Sequence, residues 1–410
     1  MERLPLFEKK FIKNLMEKQC ETIAVALSSY YSRVKDPGWM SGLAGISCFF
    51  FHYFRFSGND KYKNLGYHSL ELILSAIEKG FSHPSFSTGL SGVHWMFKYL
   101  GSQGFISPTE ADSLNDLTPL FRKFARSQFK TGEYDVLHGA LGIFLATRIA
   151  AQKEKMSGIK GDTDELIPLI ISELSRLAIP IDDHSLSWES TNPIKGYREI
   201  NFGLAHGFPS ILFILSLIYK ISSDKTILSG LICPGMNFLL QHKSQQAGKL
   251  SFFPIRIKNN KAQTPSRMAW CYGDPGIALA IYHIGENCGR QDWQSQATAI
   301  LDKASVLLSL EDTGVCDACI CHGSAGLALI YYAAGRKTGY EPFLDTARLW
   351  TRTTLDFGNN PRGSAGYLFK GNQNKYLSNY SLLEGISGVG LSLLALLDGE
   401  LPGWEKGLMI

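Results

Sequence analysis

Apolar residues in this chain fall into two alternating patterns. One is a run apolar on every side that follows a pair of glycines, as in Ile277-Ala278-Leu279-Ala280-Ile281-Tyr282 and Leu391-Ser392-Leu393-Leu394-Ala395-Leu396-Leu397. A helix of that composition is buried all round. The other is amphipathic: Ala297, Ile300, Leu301, Ala304, Leu307 and Leu308 follow helical spacing, while Asp302 and Lys303 face away. That pattern predicts an outer helix, wet on one side.

The two patterns recur in register. Gly-x-x-Gly opens the apolar run at Gly42, Gly89, Gly139, Gly273, Gly323 and Gly385, and a degenerate copy, Gly207 with Ser210, fills the fourth place. Successive openings lie 47 to 68 residues apart, which is room for two helices and their connections. Such a recurrence marks one supersecondary unit that buries its apolar face only by stacking on neighbours. An open array would expose apolar ends. The expected fold is therefore an all-α, α/α-toroid of seven inner and seven outer helices, forming one domain over residues 1–410. Two stretches break the helical pattern, at about 180–200 and 248–266, with Pro180, Pro193, Gly196, Pro254 and Pro265 among them. They read as rim insertions, long loops or small β elements, and loops of that length are uncommon unless functional.

Composition narrows the function. With 410 residues and 45% apolar content the chain can bury a large core. A net charge of +4 is too small to indicate nucleic-acid binding, and Lys9, Lys10, Lys13, Arg256, Lys258 and Lys261 read as solvated surface. The first eighteen residues mix charges with apolar groups and carry no cleavable apolar stretch, and no uninterrupted apolar window of 18 residues predicts a membrane span. Eight cysteines are too sparse for a disulfide scaffold, so a reducing cytoplasm is expected.

The candidate chemistry sits just before the repeat glycines. Two residues ahead of the first glycine stand Met40, Ser87, Leu137, Ala205, Cys271, Cys321 and Leu383, and one residue ahead stand Ser41, Thr88, His138, His206, Tyr272, His322 and Glu384. Cys271 and Cys321 at one repeat position, with His322 beside the second, thus make three ligands, the number a catalytic zinc uses while keeping its fourth position open. Adjacent side chains on a helix diverge by roughly 100°, so Cys321 and His322 can meet one ion only from the turn that precedes the helix. Cys316-x-x-Cys319 is a competing chelating pair, but it lies outside the register. Cys20, Cys48, Cys233 and Cys288 read as small buried hydrophobes. His138 shares the register of His206 and His322 with less to support it, and Glu384 reads as a carboxylate favoured at a helix start.

In order along nearly the whole chain, the repeats, Leu204-Ala205-His206-Gly207, Trp270-Cys271-Tyr272-Gly273-Asp274-Pro275-Gly276 and Cys321-His322-Gly323 resemble the lanthipeptide cyclases, the LanC-type proteins. The resemblance implies an α/α-toroid holding one zinc through Cys271, Cys321 and His322. It implies an acid/base role for His206 and supporting roles for Asp135, Arg267 and Tyr272, although Asp135 is also a residue type that simply caps the third inner helix. The implied reaction adds cysteine thiols of a dehydrated precursor peptide, leader plus core, to dehydroalanine or dehydrobutyrine, closing lanthionine and methyllanthionine rings. A dehydratase and a transporter are the implied partners, in a complex that would bring a cytoplasmic protein to the membrane. Ser210 is the departure from the pattern.

That chemistry makes physical sense. A free thiol has a pKa near 8.5 and is mostly protonated at neutral pH. An open zinc position deprotonates it. The enolate formed by addition then needs a donor at oxygen and a proton at the α-carbon, for which His206 and Arg267 are candidates. Two other classes share the ligand set: an enzyme adding glutathione to dehydroamino acids in proteins, and a non-catalytic peptide-binding toroid whose zinc is structural and closed by a fourth protein ligand.

Overall fold

The computed structural model describes residues 10–151, 163–191, 198–243, 251–258, 261–263, 266–306, 309–371 and 375–410. They organise into two compact units, Met1–Asp116 with Val315–Ile410, and Leu117–Gly314.

In the first unit the inner helices Leu43–Ser57, Leu90–Ser102, Ser324–Thr338 and Ile386–Asp398 each begin directly after a repeat glycine. Three of them are buried without a break, from Leu43 to Tyr53, from Ser324 to Gly335 and from Ile386 to Leu396, as all-round apolarity predicts. Asp60–Glu78 and Glu341–Phe357 pack on the inner helices that precede them. The outer partner of the last inner helix is the first helix of the chain, Lys10–Tyr30, which packs on Ile386–Asp398 through a stripe of Met16, Cys20, Ile23, Ala24 and Leu27. Inner helices also meet one another: Ile386–Asp398 lies against both Leu43–Ser57 and Ser324–Thr338. Beneath them Trp39 and Trp95 stack edge to face at 4.6 Å, and the buried Trp404–Leu408 turn seats Gly407 against the Trp95 ring.

In the second unit the inner helices Ala140–Ala151, Phe208–Ile221 and Asp274–Cys288 alternate with outer helices Thr118–Thr131, Thr163–Leu177, Lys225–Gln241 and Gln291–Ser305. Trp293, Ala297, Ile300, Leu301 and Ala304 form the buried face of the last, with Asp302 and Lys303 exposed. Leu307 and Leu308 lie outside the described residues. Among the described residues the predicted seven inner helices are all present.

The glycines serve close approach. At Gly323 the backbone is extended, with φ −113° and ψ −173°, a conformation open to any residue. A Cβ there would lie 2.4 Å from the Cys319 nitrogen, and one on Gly326 would lie 1.9 Å from the Ile320 carbonyl oxygen. In the degenerate repeat Ser210 is fully buried, and its hydroxyl donates to the Gly207 carbonyl at 2.8 Å.

None of the inner helices whose caps are described has a side-chain cap. Their first N–H groups turn back on the preceding loop. Leu43 donates to Asp36 O (2.8 Å), Leu90 to His83 O (2.7 Å), Ala140 to Glu133 O (3.1 Å), Ser324 to Asp317 O (3.1 Å) and Ile386 to Asn379 O (3.0 Å). A folded turn thus satisfies donors that the helix itself leaves unpaired. In these five repeats it also ties the residues ahead of the glycine into a closed turn.

The two insertions hold small antiparallel sheets. Ile179–Asp182 pairs with Ser185–Ser187, and a four-stranded sheet runs Ser190–Thr191, Arg198–Asn201, Arg256–Lys258, Lys261–Gln263. Ile200 pairs with Ile257, so segments far apart in sequence share one sheet within the second unit. Pro193 and Gly196, and part of the 248–266 stretch, lie outside the described residues. A third hairpin, Phe369–Lys370 with Tyr376–Leu377, lies in the first unit and had no counterpart among the sequence expectations.

Candidate active site and metal ligands

In the second unit, five of the predicted residues are neighbours. Asp135, His206, Arg267, Cys271 and Tyr272 stand in the turns that lead into three successive inner helices. Asp135 does brace its turn: its Oδ1 accepts the N–H groups of Leu137 (2.7 Å) and His138 (2.8 Å). The same Oδ1 lies 3.6 Å from His206 Nδ1, an ion-pair contact too long for a good hydrogen bond. Asp135 therefore braces the turn rather than capping the third inner helix, which begins at Ala140, and the same carboxylate stands beside His206.

The electrostatics of this pair favour the charged imidazole. Burial alone would depress His206, but the Asp135 carboxylate, aided by Cys271, outweighs it and raises the pKa above the ordinary histidine value. Burial likewise works to raise Asp135, and His206 with the backbone donor at His138 holds it below the usual carboxylate range. His138 stacks on His206, with ring centroids 5.4 Å apart and planes within 18°. The Tyr272 ring lies 6.3 Å from His206 on another side. Burial raises the Tyr272 pKa, and its hydroxyl accepts from Asn201 Nδ2 at 3.0 Å.

Arg267 Nη2 lies 3.9 Å from Cys271 Sγ. Arg267 and Tyr272 also line a cleft of about 500 Å³ together with Arg256, Glu311, Thr313 and Gly314. Arg256 is not the solvated cation its sequence context suggested: its Nη1 donates to both oxygens of the buried Glu199, at 2.9 and 3.2 Å. The strand pairing of the two insertions sets that ion pair, since Asn201 faces Arg256 across the sheet. Cys233 and Cys288, expected as buried hydrophobes, are half-buried beside a cavity of about 140 Å³, whereas Cys20 and Cys48 are fully buried as expected.

The first unit carries Cys321 and His322, both buried, in the turn before Ser324–Thr338. Cys321 N–H is held by the Leu383 carbonyl at 3.0 Å. His322 has a neighbour the sequence reading missed: its Nε2 lies 3.4 Å from Oδ2 of Asp317, which is fully buried. The Asp317 carboxyl is depressed, because His322 and the N–H groups of Lys370 and Cys319 outweigh the burial that opposes ionisation. Cys319 is buried too, and desolvation pushes its thiol up to about 12, with Asp317 adding to the shift. Its Sγ accepts the His322 backbone N–H at 3.4 Å. Ligand-type atoms of Asp317, Cys319 and His322 lie within 4.8 Å of one another, so this unit holds a buried group able to bind a metal. Asp317 and Asn201 were within reach of sequence reasoning, since both stand six residues before a repeat glycine, as Asp36 and Asn379 also do.

The donor chemistry suits zinc. Cys271, Cys321 and His322, the residues expected as ligands, are each buried, thiols and imidazole are donors zinc favours, and the His322 imidazole has a carboxylate at one nitrogen, the usual outer partner of a ligating histidine.

Comparison with known proteins agrees with the repeats. A family model described as lanthionine synthetase C-like protein matches residues 33–409. The nisin biosynthesis protein NisC of Lactococcus lactis subsp. lactis is 26% identical over 279 residues, which cover 63% of this chain, and the chain spans 64% of that relative's length. Among solved structures, a nisin cyclase superposes with a TM-score of 0.74 at 21% identity, over 98% of each chain. That likeness bears out the all-α, α/α-toroid fold expected from the glycine repeats. On the match across residues 33–409, the chain belongs to the lanthionine synthetase C-like family.

Proposed function

We propose that this protein is a zinc-dependent lanthipeptide cyclase, with a dehydrated precursor peptide as substrate. The observation that carries the reading is the Asp135–His206 pair, an imidazole whose pKa the carboxylate raises, held beside Cys271 and Tyr272. The ligands proposed are Cys271, Cys321 and His322, on the support of the repeat position the two cysteines share with His322 beside it, their burial and the family. Zinc bound there with an open position would supply a nucleophilic thiolate from a substrate cysteine at neutral pH.

The chain's own residues handle the rest. When sulfur bonds to the β-carbon of a dehydroamino acid, the electrons of the carbon–carbon double bond move to the neighbouring carbonyl oxygen. Arg267 cannot be deprotonated in a protein, so it acts as donor to that oxygen and never as proton source. His206, whose charged form Asp135 favours, gives its proton to the α-carbon and is recharged by the proton the thiol gave up, so one S–H adds across one C=C. Tyr272, oriented by Asn201, borders the cleft in which the peptide would lie.

Ring closure conserves mass, so the assay is consumption of alkylatable thiols. The purified protein with zinc should remove them from a peptide carrying cysteine and dehydroalanine, and thiols that persist as in a buffer control would refute the reading. Glutathione offered in place of the intramolecular cysteine gives a mass gain if that substrate class is used instead. Association with a dehydratase and a transporter is part of the same proposal. Among the described residues no helix is long and apolar enough to cross a membrane.

A further inference from the structure

The turn ahead of Cys321-His322 contains a carboxylate with more to do than shape the turn. Asp317 Oδ1 accepts the Cys319 N–H at 3.0 Å, as Asp36 accepts from Gly38 (2.7 Å) and Asn379 from Ser381 (2.9 Å) at the same repeat position. Its second oxygen, Oδ2, accepts the Lys370 N–H at 3.0 Å and lies 3.4 Å from His322 Nε2. Lys370 belongs to the hairpin Phe369–Lys370 with Tyr376–Leu377, so the carboxylate is pinned from a separate element as well as from its own turn.

We propose that Asp317 is the positioning residue of His322, fixing the imidazole in the tautomer with hydrogen on Nε2 and leaving the Nδ1 lone pair as the metal ligand. The inference rests on the reading of His322 as a zinc ligand. A neutral imidazole has one N–H and one lone pair, and the partner at one nitrogen decides which nitrogen can ligate. An ionised carboxylate only accepts, and with two backbone donors already on it, it offers His322 no proton. Asparagine would break this arrangement without emptying the space. Its oxygen can still take the Cys319 N–H, but its amide then points N–H groups at Lys370 N–H and at His322 Nε2. Donor meets donor, and the imidazole relieves the clash by reversing its tautomer, which removes the Nδ1 lone pair.

Direct ligation by Asp317 and Cys319 is the rival, since their ligand atoms cluster with His322. The test titrates metal-free wild type, Asp317→Asn, Cys319→Ala and Cys321→Ala with zinc against a chromogenic chelator, and records the ring ¹⁵N–¹H spectrum of His322, assigned by its loss in His322→Gln. The expected results are a roughly 10- to 100-fold weaker zinc affinity in Asp317→Asn, the usual effect of removing an outer partner, wild-type affinity in Cys319→Ala, and an Nε2–H tautomer in the metal-free wild type. Wild-type affinity in Asp317→Asn, loss of zinc in Cys319→Ala, or an Nδ1–H tautomer each overturns the inference. The spectrum decides even if Asp317→Asn does not fold. Failure of the underlying reading is separate: wild type would take up no zinc, or Cys321→Ala would keep full affinity.

Discussion

The turns before Gly273 and Gly323 are copies of one element, each with cysteine two residues ahead of the glycine, yet they are built differently. Six residues before Gly323 stands Asp317, fully buried and committed to the Cys319 N–H, the Lys370 N–H and the His322 ring. Six residues before Gly273 stands Arg267, which cannot accept a hydrogen bond and so cannot brace the turn in that way. Its guanidinium reaches Cys271 Sγ and the cleft instead. A repeat position that serves as scaffold in one copy is thereby released to line a site in another. The same division separates Asn379, which braces Ser381, from Asn201, which braces Gly203 at 2.8 Å and also holds the Tyr272 hydroxyl.

The largest effect expected is at the ligands. Cys321→Ala should strip the zinc and stop thiol addition, because a methyl group does not replace a thiolate, while Cys319→Ala and Cys316→Ala should keep about one zinc per chain. Metal analysis of the three purified variants checks this, and a zinc-free Cys319→Ala protein would shift the ligand set. Chelation of the wild type should abolish cyclisation yet leave helicity largely intact, since a large buried apolar core holds the helices. Global unfolding on chelation would mark a structural site.

Next in size is proton handling. His206→Ala should retain zinc and lose roughly a hundredfold or more in ring formation, the range for a general acid/base. Stoichiometric loss of zinc would give His206 a different role. Arg267→Ala should cost on the order of a hundredfold in rate as an oxyanion donor. If instead its main effect is a lowered Tm with unchanged rate, Arg267 is a scaffold residue like Asn379.

A smaller and more diagnostic effect lies in pH. The raised His206 pKa means that its pairing with Asp135 stabilises the protein fully below the ordinary histidine value and is lost as pH rises through the higher folded value. The depressed Asp135 carboxyl contributes above its ordinary value and loses its contribution as pH falls through the lower folded value. The pair therefore stabilises most between the carboxylate and histidine ranges. Asp135→Asn should shift the His206 titration, followed by NMR, to lower pH, because burial is then no longer outweighed. An unchanged titration would mean that Asp135 serves only its turn.

The smallest effect belongs to a turn with scaffold duty alone. Asn379→Ala should cost about 1 kcal/mol by losing its bond to the Ser381 N–H, with zinc content and cyclisation unchanged. Thermal unfolding and the thiol assay measure both. A loss of activity there would erase the contrast between bracing and site turns.

The hydrophobic pattern alone determined the inner helices, the outer face of Gln291–Ser305 and the repeat register, because a fully buried helix must be apolar all round and a half-buried one must alternate at helical spacing. The register also drew Cys271, Cys321 and His322 together and placed His138 and His206 alike, while the choice of His206 rested on the family resemblance. Three features were decided only by tertiary structure: the use of Lys10–Tyr30 as outer partner of the last inner helix, the joining of two distant insertions through Ile200 and Ile257, and the hairpin that pins Asp317 through Lys370. Each depends on segments brought together across long stretches of chain, where periodicity carries no signal about partners. Arg256 shows the cost of that silence: in sequence it is one cation among several, and only the strand pairing sets it against buried Glu199 at the edge of the cleft.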